Sequence, residues 1–402
     1  MSKLLSVEDA LHRILDHAQK SLTEIVPIDL AHGRVLAEDL AALRTQPPFS
    51  ASAMDGYAVR ASDIEDPPCI LNMIGESAAG HGYDGAVNQG ETVRIFTGAP
   101  LPKGTDTISI QENVETDGSL IKVMQSEPLG RFVRPAGLDF SKGDIGLSKD
   151  SVLGAAEISL AASMNHPEVP VKKRPAIAVI SSGDELVAPG TELAKDQIIS
   201  SNSYGVVNII NSAGGDALDL GIADDTLAAL EEKFSQANEC DVVVTLGGAS
   251  VGDHDLVQQA LKLRGIDLNF WSLAMKPGKP VMFGTLTTDD RTQIYLGLPG
   301  NPVSSLVCAM VFVAPLIKKM LGLPPELNEL SAFLSANLPA SGPRQEYMRA
   351  SSVFKDGKMY VAAFDNQDSS ILSNLVKADC LIVRPANAEA AKIGEECKVL
   401  ML

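Results

Sequence analysis

The chain contains few cysteines, histidines, aromatic residues and positive charges. Its five cysteines are odd in number and show no C-x-x-C spacing, so neither a disulfide framework nor a structural zinc site is indicated. The six histidines lack H-x-H and H-E-x-x-H spacing, which argues against a zinc hydrolase. The net charge of −18 argues against nucleic acid as a partner. An anionic substrate would need local neutralisation by lysines, backbone N–H groups, helix N-termini or a divalent metal.

Long apolar runs are also missing. The uncharged stretch 301–317 contains Pro315 and is shorter than the roughly 20 residues that a membrane-spanning helix needs. It therefore predicts a buried helix and no membrane span. Glu8 and Asp9 interrupt the N-terminal segment, where a signal peptide would be apolar. We expect a cytoplasmic protein.

The length of 402 residues predicts several domains, because single cores usually hold about 100–200 residues. Helical periodicity in 6–20, behind a candidate N-cap at Ser6, returns after residue 154. Between them lies a glycine- and proline-rich region with short alternating runs, which predicts a small inserted β domain. The predicted domains are a helical or linker domain of 1–45 plus 140–172, the β insertion of 46–139, a central α/β domain of 173–325, and a C-terminal β domain of 326–402.

The central region alternates between strand and helix patterns. Predicted strands at 176–180, 217–222, 241–246 and 294–298 are separated by predicted helices at 204–212, 227–236 and 256–263. This alternation predicts a three-layer α/β/α domain with a mostly parallel sheet. The C-terminal region has only short β-rich runs, which suit a small barrel or sandwich.

Polar residues follow the predicted central strands. Carboxylates come after three of them, at Glu185, at Asp224 and Asp225, and at Asp255. Because the carboxyl ends of parallel strands meet at one sheet edge, these side chains would converge there. Such a cluster suits Mg²⁺, which prefers a few carboxylates together with phosphate oxygens and waters. The alternative is that each acid is only a helix N-cap.

Three further segments extend this candidate site. Gly247 and Gly248 follow a buried strand and allow close approach of the backbone to a ligand. Lys276 and Lys279 flank a tight Pro-Gly turn and would contact the same anion, although a solvated loop is the alternative. The turn before Pro302 presents a helix N-terminus, whose N–H groups favour anions.

Six motifs occur in order along most of the chain and resemble the MoeA family of molybdopterin molybdenumtransferases, which includes the gephyrin E domain. They are Ser52-Ala-Met-Asp-Gly-Tyr-Ala-Val59, Thr97-Gly-Ala-Pro-Leu-Pro102, Gly183-Asp-Glu-Leu186, Gly247-Gly-Ala-Ser-Val-Gly252, Lys276-Pro-Gly-Lys-Pro280 and Gly297-Leu-Pro-Gly-Asn-Pro-Val303. Without the resemblance, Asp55 could be a residue of an ordinary hairpin turn.

The resemblance implies a transferase that converts adenylylated molybdopterin and molybdate into molybdenum cofactor and AMP with Mg²⁺. It also implies a homodimer, with each cleft between one chain's central domain and the other chain's β insertion, and other proteins of molybdenum cofactor biosynthesis as further partners. The implied catalytic residues are Asp55, Thr97, Asp139, Glu185, Asp225 and Asp255. The implied cofactor-binding residues are Gly247, Gly248, Ser250, Gly252, Lys276, Lys279, Pro299 and Pro302. The implied metal ligands are Glu185, Asp224, Asp225 and Asp255.

Two departures from the family pattern stand out. Ser50-Ala-Ser52 replaces an Asp-Asn-Ser-like triplet, and Gln367-Asp-Ser-Ser370 replaces a glycine-containing turn. Two alternative functions are a molybdopterin adenylyltransferase, which would lack residues 46–139, and a non-catalytic dimeric scaffold of the same fold.

Overall fold

The computed structural model describes residues 4–248, 256–288 and 291–402. It divides into two compact units. The smaller unit is Glu24–Val171, and the larger unit combines the chain up to Thr23 with Lys172–Leu402. The domain boundaries drawn from the sequence stay predictions.

The smaller unit begins and ends in short paired strands. β1 (Thr23–Pro27) pairs with β12 (Glu168–Lys172) at the boundary of the unit, and β2 (Leu40–Ala41) pairs with β11 (Ile145–Leu147). One helix, α2 (Ala155–Ser163), packs beside β11, and Glu157 accepts a hydrogen bond from the N–H of Gly154 at its start. Leu36, Leu40, Phe140 and Met164 belong to the buried core of this part.

The rest of the smaller unit is the predicted β insertion. Its strands are β3 (Ala51–Ser52), β4 (Gly56–Val59), β5 (Cys69–Ser77), β6 (Glu91–Ile95), β7 (Thr107–Ile110), β8 (Val114–Asp117), β9 (Leu120–Val123) and β10 (Val133–Arg134). Six of them form one sheet in the order β7-β4-β6-β5-β9-β8, in which only β5 and β6 pair in parallel. β3 pairs with β10 beside this sheet.

The larger unit contains the predicted α/β sheet. Its strands are β13 (Ala176–Ser182), β16 (Asp216–Ala223), β17 (Val242–Leu246), β18 (Asp267–Phe270), β20 (Met282–Thr287) and β21 (Thr292–Leu298), in the order β16-β13-β17-β21-β20-β18. The first four are parallel, and β20 runs antiparallel to both of its neighbours. A small parallel ladder of β14 (Leu186–Val187) and β15 (Ile198–Ile199) lies between β13 and the next helix.

In the described residues of the larger unit, seven helical segments precede the C-terminal region. They are α1 (Val7–Leu15), α3 (Asn202–Ser212), α4 (Leu227–Gln236), α5 (Leu256–Leu263), α6 (Pro302–Cys308), a π-helical segment (Ala309–Val313) and α7 (Ala314–Met320). Helix α3 packs on α6, and α4 packs on α5, which gives the layered arrangement predicted from the sequence.

Helix ends follow local chemistry. Ser6 caps α1 as predicted, because its Oγ accepts the N–H of Asp9 at 3.0 Å. The predicted helix of 6–20 ends earlier, at Leu15, and the chain then turns so that the N–H of Ser21 reaches the carbonyl of Met320. Helix α4 is capped by Thr226, whose Oγ1 accepts the N–H of Ala229 at 3.2 Å.

The apolar segment Pro302–Met320 is long and apolar enough to cross a membrane. However, 72% of its most apolar 18-residue stretch is buried in the protein. It contacts α1 and α3. Its π-helical turn lies directly before the α7 residue Pro315, which has no N–H for the helical hydrogen-bond ladder. This segment is the buried helix predicted from the uncharged run.

The C-terminal region forms a closed five-stranded barrel. Its strands are β22 (Glu329–Leu334), β23 (Gln345–Lys355), β24 (Lys358–Ala363), β25 (Cys380–Arg384) and β26 (Glu396–Met401). The pairing of β23 with β25 closes the ring, so the barrel has no free edge among these strands. A short helix, α8 (Leu372–Val376), precedes β25, and β19 (Met275–Lys276) from the central region adds to β23.

Candidate active site

A cavity of about 1020 Å³ lies in the larger unit at the carboxyl ends of its parallel strands. Open α/β sheets bind ligands at this edge, because the loops that follow the strands converge there. Its wall includes residues that follow β13, β16, β17 and β21, together with residues of the β15–α3 connection. The polar and glycine residues of the wall include Ser182, Gly183, Glu185, Ser200, Ser201, Asn202, Asp225, Gly247, Gly248, Lys279, Gly300, Asn301 and Ser370.

Two of the predicted acids share this cavity, Glu185 and Asp225. Asp225 accepts a hydrogen bond from the Oγ of Ser182 at 2.9 Å, and its own N–H donates to Oδ1 of Asp184 at 2.8 Å. Because Thr226 caps α4, the carboxylate of Asp225 is not consumed as the N-cap. The alternative drawn from the sequence, a helix N-cap, therefore does not apply to Asp225.

Glu185 owes its position to a glycine. A Cβ added to Gly183 would lie 2.5 Å from a carboxylate oxygen of Glu185, and Gly183 has a φ of +152°. The bare Cα lets the Glu185 side chain fold back over the turn that follows β13. The cavity thus receives two carboxylates from adjacent strand ends.

The remaining predicted metal ligands do not join them in the described part of the chain. Asp224 is exposed and does not line the cavity, although its carbonyl accepts the N–H of Thr226 at 2.7 Å. Asp255, and with it Ser250 and Gly252 of the glycine loop, lie outside the described residues. Among residues 4–248, 256–288 and 291–402, no group of three His, Cys, Asp or Glu side chains is arranged to hold a metal.

Gly247 and Gly248 form part of the cavity wall as predicted, and both have positive φ angles of 88° and 61°. A Cβ on Gly247 would lie 2.7 Å from the carbonyl oxygen of Ser182, and one on Gly300 would lie 3.7 Å from the Cα of Gly247. The backbone segments at the ends of β13, β17 and β21 therefore approach one another closely. Pro299 and Pro302 line the cavity beside them.

The two predicted lysines have different surroundings. Lys279 lines the cavity, whereas Lys276 does not. The ammonium of Lys276 lies 3.0 Å from Oε1 of Glu346, and β19 is held on β23 of the barrel. The structure thus brings Lys279 alone of this pair to the described cavity wall.

The barrel also contributes to the cavity through Ser370. Asp368 accepts the N–H of Ser370 at 2.9 Å and its Oγ–H at 2.7 Å, and these bonds, with the charge of Arg349, lower the pKa of Asp368. Arg349 is fully buried and donates from Nη2 to the carbonyl of Asp368 at 3.0 Å. The N–H of Val303 donates to the carbonyl of Ser369 at 3.1 Å, which ties this loop to the start of α6.

The sequence did not single out Ser200, Ser201 and Asn202, which also line the cavity. They lie between β15 and α3, and Asn202 donates from Nδ2 to the carbonyl of Gly300 at 2.7 Å. A Ser-Ser-Asn-Ser run before a predicted helix was the available signal, since these residues favour helix starts.

In the smaller unit, the predicted residues Asp55 and Thr97 form a pair. Oδ1 of Asp55 accepts the N–H of Thr97 at 2.8 Å and its hydroxyl at 2.9 Å. These two bonds, with a smaller contribution from the charge of Arg94, lower the pKa of Asp55. The guanidinium of Arg94 lies 4.9 Å from the ring centre of Tyr57 and donates to the carbonyl of Gly56.

Asp139, the third predicted residue of the smaller unit, is exposed, and its N–H donates to the carbonyl of Gln46 at 3.0 Å. Ser52, from the triplet that departs from the family pattern, is fully buried. Its Oγ donates to the carbonyl of Met54 at 2.5 Å. Ser52 therefore closes the turn that precedes Asp55.

Three family descriptions match consecutive parts of the chain. The MoeA N-terminal region (domain I and II) matches 5–165, a probable molybdopterin binding domain matches 178–319, and the MoeA C-terminal region (domain IV) matches 331–402. A molybdopterin molybdenumtransferase of Nostoc sp. is 35% identical over 388 residues, covering 94% of this chain and 89% of the relative. One of Haemophilus influenzae is 34% identical over 402 residues, covering 98% and 97%. The chain belongs to the MoeA family of molybdopterin molybdenumtransferases.

Solved MoeA structures support the same assignment. A crystal structure of a molybdopterin biosynthesis MoeA protein from Pyrococcus horikoshii matches this MoeA chain with a TM-score of 0.83 and 30% identity, covering 99% of each chain. A second structure from that organism matches with a TM-score of 0.83 and 28% identity over the whole of both chains. The predicted family, transferase class and fold class are confirmed.

Proposed function

We propose that this MoeA chain inserts molybdenum from molybdate into adenylylated molybdopterin, giving molybdenum cofactor and AMP in an Mg²⁺-dependent reaction. The observation that carries the proposal is the cavity at the strand ends, which combines Glu185 and Asp225 with Lys279. The carboxylates suit a divalent cation, and the lysine suits an anionic group. A site of this composition matches a substrate with phosphates and an oxyanion.

Glu185 and Asp225 are the cavity residues that would hold Mg²⁺, with Asp255 as a further proposed ligand. The hydrogen bond from Ser182 fixes one oxygen of Asp225, so this carboxylate is already oriented. When bound, the ion would neutralise negative charge on the phosphates of the substrate. These residues fit the ion by number and chemistry, because Mg²⁺ needs only one or two protein carboxylates.

The anionic groups of the substrates would be held by lysine and backbone. Lys279 supplies a positive charge at the cavity wall, and the positive φ angles of Gly247 and Gly248 bring the backbone close to a ligand. The turn at Pro299 and Pro302 would hold the molybdenum oxyanion at a helix start. Lys276, Ser250 and Gly252 complete the proposed binding residues. Preorganised positive groups of this kind stabilise charge that develops as the phosphoanhydride breaks.

Asp55, Thr97 and Asp139 are proposed to act on the same substrate from the second chain of a homodimer. The Asp55 carboxylate has a lowered pKa, so it is negatively charged at neutral pH. Replacement of Asp55 by alanine should therefore reduce turnover more than folding, because the residue is a partly exposed turn residue outside the hydrophobic cores.

The direct test combines purified protein, adenylylated molybdopterin, Mg²⁺ and molybdate, and measures AMP release and cofactor formation. AMP released only when all four are present supports the proposal. No AMP above background would favour a scaffold of the same fold. Formation of adenylylated molybdopterin from nucleotide would instead indicate an adenylyltransferase.

The shared cleft can be tested by mixing two inactive variants, Asp55→Ala and Glu185→Gln. If each cleft takes these residues from different chains, a mixed dimer has one intact cleft, and random mixing restores about a quarter of the wild-type activity. If both residues act within one chain, each chain of a mixed dimer carries one of the two substitutions. No intact cleft then forms, and mixing restores no activity.

A further inference from the structure

We propose that Asn202 is a positioning residue that holds the turn Gly300-Asn-Pro302 in place for oxyanion binding. The inference rests on the proposed function, since that turn is the proposed oxyanion site. Asn202 is the first residue of α3, and its Nδ2 donates to the carbonyl of Gly300, 98 residues later in the chain, at 2.7 Å. Both residues line the same cavity.

The side chain of the capping residue does not hold the turn. Asn301 is the N-cap of α6, and its side chain makes no capping hydrogen bond. The carbonyl of Gly300, at the start of this turn, accepts the amide of Asn202 instead. The orientation of the Gly300 peptide group is therefore set by a side chain from another helix.

The packing of the two helices supports the same arrangement. A Cβ added to Gly205, three residues after Asn202, would lie 2.5 Å from Cδ2 of Leu306. Helices α3 and α6 thus pack closely at Gly205 and Leu306. The hydrogen bond from Asn202 to Gly300 adds a contact between the same two segments at the cavity. On its other side, Gly300 faces the Cα of Gly247. The turn is held between α3 and the loop after β17.

This geometry has a chemical consequence for an oxyanion. Backbone N–H groups at the start of a helix bind an anion only when they point at it together. Rotation of the Gly300 peptide group would move the N–H of Asn301, which belongs to the same peptide plane. Loss of the Asn202 amide should therefore weaken molybdate binding without removing any group that touches the ion.

The test is Asn202→Ala, with Asn208→Ala as the matched control. Asn208 lies in the same helix and also donates from Nδ2 at 2.7 Å, but to the carbonyl of Tyr204 within α3. Alanine favours helix at both positions, so neither variant should weaken α3. We expect the KM for molybdate to rise about tenfold in Asn202→Ala, with little change in kcat, and to stay at the wild-type value in Asn208→Ala.

Amide hydrogen exchange at Val303 and Ser305 supplies a readout that does not depend on turnover, because their N–H groups donate to the carbonyls of Ser369 and Asn301 beside the turn. Exchange should accelerate in Asn202→Ala and in Asn202→Asp, which lacks the donor but suits the first turn of a helix. It should not change in Asn208→Ala. Unchanged exchange would overturn the inference, as would faster exchange with an unaltered KM for molybdate. Wild-type protein that releases no AMP with molybdate would instead contradict the proposed function, while the exchange result still tests the position of the turn.

Discussion

Thr97 gives both of its hydrogen bonds to one oxygen of Asp55, the N–H at 2.8 Å and the hydroxyl at 2.9 Å. Both bonds favour the ionised carboxylate, and the pKa of Asp55 lies below its ordinary value of 3.8 as a result. Oδ2 takes no part in this pair. One oxygen is thus used for orientation, and the carboxylate keeps its second oxygen for another partner.

The first prediction concerns the pKa of Asp55 in Thr97→Val. This variant removes the hydroxyl bond and retains the N–H bond, so the pKa should rise towards 3.8. A carboxyl group whose pKa is lowered on folding stabilises the folded state at pH values above its unfolded pKa. This contribution is lost as pH falls through its folded pKa. Thr97→Val should therefore be less stable than the wild type above about pH 5, where the full contribution is present, and the difference between the two proteins should disappear as pH falls through the folded pKa of Asp55. Carboxyl NMR titration measures the pKa, and an unchanged value would contradict the assigned cause.

The second prediction concerns Mg²⁺. Asp225→Asn retains an oxygen that can accept the hydrogen bond of Ser182 but removes the negative charge. We expect the affinity for Mg²⁺ to fall at least about tenfold, because ligand charge determines affinity for hard cations. The control is Asp219→Asn, which changes an exposed aspartate of β16 that does not line the cavity. Titration calorimetry measures both, and an equal loss in both variants would indicate a general effect of net charge.

The third prediction separates the two lysines. Lys279→Gln should weaken molybdate binding about 10- to 100-fold, the usual value for one hydrogen bond to a charged group. Lys276→Gln should have a smaller effect, because its ammonium is half-exposed and already paired with Glu346. Equilibrium binding of molybdate at two salt concentrations compares them. A larger loss for Lys276→Gln would show that the ion pair opens when the anion binds.

The fourth prediction concerns close backbone approach. Gly247→Ala and Gly265→Ala both place a Cβ at a positive φ, 88° and 78°, but only the first meets a neighbour, the carbonyl of Ser182 at 2.7 Å. We expect each to lose about 1–2 kcal/mol of unfolding free energy from the backbone conformation. Gly247→Ala should lose about 1–3 kcal/mol more, because the surrounding backbone must shift. Urea unfolding measures the difference, and equal losses would exclude a role for the contact.

Much of the central sheet could be predicted because its strands are continuous apolar runs. The predicted strand of 241–246 is observed as Val242–Leu246, and helix α5 has the predicted bounds. Local patterns also located Glu185, Asp225 and Lys279 at the cavity. Local sequence patterns carry no information on which distant segments of the chain meet at the cavity.

Ser370 and Asn202 show what the sequence could not provide. Ser370 reaches the cavity because the loop from the barrel is bonded to α6 and to the buried Arg349. Asn202 meets Gly300 because α3 and α6 pack side by side. Both contacts depend on tertiary packing, which periodicity and turn chemistry do not specify. The differing surroundings of Lys276 and Lys279 have the same origin.

The pairing of β19 with β23 bears on how this protein could have been assembled in evolution. Met275 and Lys276 belong to the central region by position in the chain, yet they pair with Gln345 and Glu346 of the barrel. A recombination point between the two regions would leave the lysine loop without its partner strand, although the five barrel strands close on themselves. The basic loop and the barrel should therefore be inherited together.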